Sequence, residues 1–138
     1  MPESGEKTQP FFFIRSDGRY IKISFTDILY FESVKNYVRI VTVQKNWLVL
    51  MSLRNIEKEL PADMFCRVHR SYVVSLYHIV SFDNEMVQLE NKQLPIGNRF
   101  RQALPARVKI LNGDLRNRSL YAELLDAEGV LNASFYTT

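Results

Sequence analysis

The chain has 138 residues, of which 46% are hydrophobic and 24% charged, and a formal net charge of +3. These proportions suit one folded domain, with or without a tail, and exclude global disorder. No apolar run approaches the ~20 residues of a membrane-spanning helix, and the polar start Met1-Pro2-Glu3-Ser4-Gly5-Glu6-Lys7 lacks the apolar core of a secretory signal. The single cysteine, Cys66, permits neither an internal disulfide nor a thiolate-rich metal site, and the expected compartment is the cytoplasm.

Residues 1–10 read as a leader or linker stub. Strand texture begins at Phe11-Phe12-Phe13-Ile14, turns at Ser16-Asp17-Gly18 and returns through Tyr20 to Phe25; Asp-Gly between two such runs is a hairpin signal. Ile28 to Glu32 is a further strand candidate, Ser33 to Asn36 a polar connection and Tyr37 to Val43 a strand of high β propensity. Lys45-Asn46 turns the chain into Trp47 to Met51. Leu53, Ile56 and Leu60 then fall at helical spacing, with Ser52 as N-cap and Pro61 as stop. Strand texture resumes at Met64 to Val68, Tyr72 to Val74, His78 to Phe82, Met86 to Leu89 and Gln93 to Ile96. Many short strands around one short central helix predict a mainly β, antiparallel domain over residues 11–104. Asn98 to Leu104 opens a possible helix that Pro105 interrupts or bends. Residues 105–138 read as a C-terminal extension, partly helical from Leu115 to Leu125 and ended by Gly129.

The charge is unevenly placed. Residues 11–104 carry 13 basic against 9 acidic side chains, a net +4, while residues 105–138 are neutral. This is weak evidence for a polyanionic partner. Glycine-rich phosphate loops are absent. Cys66 and His69 form half of a zinc spacing, with His78 and a carboxylate needed to complete it, but a small core cysteine is the better reading. A Cys66–His69 nucleophile and base would point to opposite faces of one strand. Asn117-Arg118-Ser119 and Asn132-Ala133-Ser134 are chance matches to the glycosylation pattern.

The segment Phe65-Cys66-Arg67-Val68-His69-Arg70-Ser71-Tyr72-Val73-Val74 is the unusual part, with two arginines and a histidine in four residues. Arginine is costly to bury, so Arg67 and Arg70 should face solvent, an acidic partner or phosphate. An exposed strand edge that resists aggregation is the plain alternative.

With Ile28-Leu29-Tyr30-Phe31-Glu32, the Tyr37-Val38-Arg39-Ile40 strand, the Ser52–Leu60 helix and Leu94-Pro95-Ile96-Gly97-Asn98-Arg99, this block resembles the LytTR family, the DNA-binding output domains of LytR/AlgR-type bacterial response regulators. The resemblance spans about residues 11–104 and departs at Ser75, where the family usually has Asn. It implies an elongated arrangement of small antiparallel sheets that reads double-stranded DNA from loops, across two major grooves and the minor groove between them. It implies no enzymatic activity and no cofactor. Targets would be paired direct repeats bound by two copies of the chain, and the receiver domain typical of the family would be absent from this chain. By this resemblance the groove contacts fall on Lys35, Asn36 and Tyr37, on Arg70, and on Arg99. Bidentate donation to guanine suits Arg70 and Arg99, and Asn36 suits adenine. Lys35, Arg39, Lys92 and Arg101 are candidates for phosphate. His69 is read first as ordering its loop and second as a phosphate contact, and Glu32 as orienting a neighbouring cation. Tyr30, Phe31, Val38, Ile40, Val68, Val73 and Ile79 are expected in the core. The rival reading is a small β-rich module that binds an acidic protein or anionic ligand; a metal-dependent hydrolase is a distant third.

Overall fold

A computed structural model describes residues 9–112 and 122–125. The chain through Val108 forms one compact unit and the chain from Lys109 a second. In the first unit the strands are β1 (Phe11–Ser16), β2 (Arg19–Ser24), β3 (Ile28–Val34), β4 (Tyr37–Thr42), β5 (Asn46–Val49), β6 (Phe65–His69), β7 (Tyr72–Ser75), β8 (Ile79–Phe82), β9 (Met86–Leu89) and β10 (Gln93–Pro95). Helix α1 (Leu53–Lys58) lies between β5 and β6, and α2 (Ala103–Arg107) follows β10. The fold is mostly antiparallel β with few short helices, as expected.

The strands form three antiparallel sheets: β1-β2, a central β5-β4-β3-β7-β6, and β10-β9-β8. Side-chain alternation divides the central sheet into two apolar faces. Phe31, Val38, Ile40, Phe65 and Val73 point to one, where Ile14 and Ile23 of the first hairpin and Leu53 and Ile56 of α1 cover them. Their neighbours Tyr30, Cys66, Val68 and Val74 point to the other, where Val87, Leu89, Leu94 and Leu104 close over them. Neither covering layer is large. Burying a residue such as Phe31 or Ile40 completely contributes roughly 1.5–3 kcal/mol, so each layer adds to stability chiefly by drying the central sheet. Of the residues expected in the core, Ile79 is only half-buried and packs at the edge of the second cluster.

Local signals set most element ends. Asp17 and Gly18 take φ 52° and 74°, the paired left-handed geometry of a two-residue hairpin turn. Ser52 caps α1 by accepting the Asn55 amide at 3.1 Å. His78 closes a single 3-10 turn, Leu76–His78, rather than opening β8.

The end of the domain differs from the sequence reading. Pro105 sits in the first turn of α2, where a missing amide costs nothing, and so helps to start this helix rather than interrupting it. Leu104 is buried in the second cluster, and Arg107 donates to the carbonyls of Ala62 and Phe65 at 3.0 and 2.9 Å. Residues 105–108 thus pack with the domain, beyond the boundary at 104. In the second unit residues 122–125 are helical, within the stretch expected to be so; the rest of that stretch and Gly129 lie outside the described residues.

Candidate nucleic-acid interface

Three segments singled out in the sequence meet at one end of the central sheet. The pairing register requires it. Val34 faces Tyr37 across the β3–β4 turn, which leaves Lys35 and Asn36 as its two residues. His69 faces Tyr72 across the β6–β7 turn, which leaves Arg70 and Ser71. β3 and β7 are neighbours, and the Ser33 amide donates to the Ser71 carbonyl at 2.9 Å, so the two turns lie side by side. The third segment is tied to the same place by the Gly97 amide, which donates to the Val68 carbonyl at 2.8 Å. A side chain at 97 would begin 3.2 Å from the Phe100 ring and 3.7 Å from the His69 Cα, so glycine allows this close approach. Arg99 lies in the 3-10 turn Asn98–Phe100 immediately beyond.

Beneath the turns a row of polar side chains crosses four strands. Arg39 on β4 and Tyr72 on β7 both face Glu32 on β3, and His69 on β6 faces Tyr72. One Glu32 oxygen takes the Arg39 guanidinium at 2.6 Å, and the other lies 3.5 Å from the Tyr72 hydroxyl. The His69 and Tyr72 rings stand 5.4 Å apart. Burial and the nearby Glu32 carboxylate push the Tyr72 phenol above its ordinary value, which keeps it a donor. The His69 Nδ1 accepts the Ser71 amide at 3.0 Å, which places the remaining ring proton of a neutral imidazole on Nε2. This bond ties the His69 ring to its own turn.

Lys35, Asn36, Tyr37, Arg70, Arg99 and Arg101 are all exposed. Among the described residues, no ion pair involves Lys35, Arg70, Arg99 or Arg101, whereas Arg39 and Arg67 are each paired with a glutamate. Among the described residues, Lys35, Arg70 and Arg99 at this end have no carboxylate partner, as is true of other cations of the domain. Lys35 also takes φ 56°, a left-handed conformation that a residue with a Cβ adopts only at a cost.

The LytTr DNA-binding domain family matches residues 18–109, which contain every segment of this end. The chain belongs to that family. LytTr is a family of DNA-binding domains and not of enzymes. A solved LytTr DNA-binding domain from Bacillus cereus superposes with a TM-score of 0.59 at 20% identity, covering 67% of this chain and 90% of that one, a likeness of fold. The CO-sensing heme-containing transcriptional regulator RcoM 2 of Paraburkholderia xenovorans is 38% identical over 72 residues, 52% of this chain. The sensory transduction protein LytT of Bacillus anthracis is 25% identical over 96 residues, 65% of this chain. The matches span 26% and 39% of those two relatives, well under half of either.

Within the LytTr domain, some expected site residues are not brought together. Lys92 lies in the β9–β10 turn, where its carbonyl accepts from the Leu89 amide, at the opposite end of β10 from Gly97. Arg39 lies under the turns with its guanidinium committed to Glu32, which is the orienting role expected of that carboxylate. Arg67 is half-buried, and its acidic partner is Glu57 of the same chain, at 2.7 Å. The linking roles of Tyr72 and Arg67 were not legible in the sequence, because both arise from cross-strand register. Cys66 is buried in the second core cluster and its thiol is pushed up by burial, so it stays protonated near neutral pH. His78 is engaged elsewhere, its Nε2–H donating to the Thr26 carbonyl at 2.8 Å. Among the described residues no helix is long and apolar enough to cross a membrane.

Proposed function

We propose that this LytTr domain binds double-stranded DNA in a sequence-specific manner, as the output module of a bacterial transcriptional regulator of the response-regulator type, acting in the cytoplasm. The observation that carries the proposal is the assembly of three separate turns, each bearing exposed cationic or amide side chains, at one end of a single sheet. The match of this region to the LytTr DNA-binding domain family favours DNA over another polyanion.

Arg70 and Arg99 are assigned to guanine edges, where a guanidinium donates to O6 and N7 together, and Asn36 to adenine. Lys35 and Tyr37 enter the groove beside Asn36. Arg101 contacts phosphate, which positions the protein without specifying sequence. The His69 Nε2–H is a further phosphate donor, since Nδ1 is already used by Ser71. Arg39 reaches phosphate only by sharing its guanidinium with Glu32, and Lys92 only if the duplex extends along the three-stranded sheet; both are secondary contacts. Two copies on paired direct repeats would double the contact set, making the DNA-bound form a homodimer.

The test is fluorescence anisotropy with a duplex selected from random sequence by the wild-type chain, a scrambled duplex and a salt titration. Arg70→Ala and Arg99→Ala are each expected to weaken the selected duplex by ~1–3 kcal/mol and to relax the base preference at one position. Binding that depends steeply on salt but ignores sequence would reduce the proposal to generic phosphate attraction. Failure of the folded chain to bind any duplex at low salt would favour the protein-interaction reading.

A further inference from the structure

We infer that Arg67 is the positioning residue that sets the spacing between Arg70 and Arg99; this rests on the base-reading role proposed for those two. Arg67 sits in β6 between buried Cys66 and Val68, at the point where the β6–β7 register shifts. All three guanidinium nitrogens are engaged. Nε donates to the His69 carbonyl at 2.7 Å and Nη2 to the Arg70 carbonyl at 2.7 Å. Nη1 donates to Glu57 on α1 at 2.7 Å. The guanidinium carbon also lies 5.9 Å from the centre of the Phe100 ring, next to Arg99. One planar group therefore touches the backbone that carries one proposed reader, the aromatic neighbour of the other, and a helix that belongs to neither turn.

Stability alone explains this poorly. An ion pair shielded to this degree, with the arginine side chain 21% exposed, is often matched or exceeded by apolar residues of similar size. What an apolar residue lacks is the fork. Donors fixed in one plane hold two successive carbonyls and a carboxylate at set angles, which a lysine, with its donors on a single atom, does not reproduce. Three of the five Arg67 N–H donors are spent on groups of the same chain, which makes holding those groups its first role. Its effect on DNA runs through the turns it fixes, and alignment is what bidentate base contacts demand and generic phosphate contacts do not.

The experiment uses the full chain as wild type, Arg67→Lys and Glu57→Gln. Amide hydrogen exchange is followed at residues 69–72 and 98–101 without DNA, and affinities are measured for the selected and scrambled duplexes across salt. Arg67→Lys, which keeps the charge, is expected to quicken exchange at both turns and to reduce the ratio of selected to scrambled affinity by about tenfold, near the lower part of the range for one bidentate contact. The salt slope on the scrambled duplex should not change. Glu57→Gln should move both readouts the same way but less, and it decides the matter by itself if Arg67→Lys fails to fold. Unchanged exchange and ratio in a folded variant would overturn the positioning role. A salt slope lower by about one, with the ratio intact, would instead make Arg67 a phosphate contact. A wild type that does not distinguish the duplexes would overturn the base-reading role itself, whereas normal discrimination with unchanged exchange would overturn the positioning role alone.

Discussion

The domain makes three turns of two residues whose construction differs. Asp17-Gly18, between β1 and β2, supplies its own conformation: both residues occupy the left-handed region, which glycine favours and aspartate tolerates. The turns at the candidate interface do not. Lys35-Asn36 places a lysine in the left-handed region, and Arg70-Ser71 is held from beneath by the Arg67 guanidinium and the His69 ring. The first turn is optimised for folding. The other two carry side chains that the turn geometry does not select, and the surrounding structure holds them in place. The strain at Lys35 is the observation that makes its side chain worth testing for a role at this surface.

This contrast can be broken most directly by exchanging cations. Arg70→Ala should cost ~1–3 kcal/mol of binding to a selected duplex, whereas Arg19→Ala, an exposed arginine beside the first turn, should change affinity by less than ~0.5 kcal/mol. Equal losses in anisotropy would erase the distinction. Next in size is Gly18→Ala. The position has open space around it, so only backbone conformation is at stake, and the loss of stability by urea denaturation should be ~1 kcal/mol with DNA affinity unchanged. Lys35→Gly should do the reverse: stability neutral or raised by up to ~0.5 kcal/mol, since relief of strain is offset by glycine's extra freedom when unfolded. Its DNA affinity should nonetheless fall, measured on the same duplex. A destabilised Lys35→Gly would show that the lysine serves the fold.

The smallest effect concerns the row beneath the turns. Tyr72 is raised above its ordinary value of 10.0. The stability it contributes is therefore complete below pH 10 and is lost as the pH climbs through its folded-state value. Thermal unfolding of Tyr72→Phe should match wild type near neutral pH to within ~1 kcal/mol and should fall less steeply above pH 10. An alkaline limb identical to wild type would assign it to Tyr30 and Cys66, whose values are also raised by burial.

Strand composition and turn chemistry made the β architecture legible, and the Asp17-Gly18 hairpin and the Ser52 cap formed where local signals placed them. The helix after Gly97 was harder. Pro105 reads as a breaker unless the helix start is known to lie at Ala103, and that start depends on Leu104 docking against β6 rather than on a capping side chain. At the candidate site, Arg70, Arg99 and the Lys35–Tyr37 turn could be picked out by residue type and resemblance. The partition of the arginines could not. Whether Arg39 and Arg67 are spent internally is decided by Glu32 lying directly across from Arg39 and by α1 bringing Glu57 to β6, and both are facts of register and packing.

The sandwiching of the central sheet has a consequence for how such a domain can change over generations. Both apolar layers are filled by strand and helix residues, and Lys35, Asn36, Arg70 and Arg99 belong to neither. Replacing any of these four alters the exposed end while leaving the buried contacts of both layers intact. A lineage can therefore sample new surface chemistry at this end one codon at a time without repacking either buried layer.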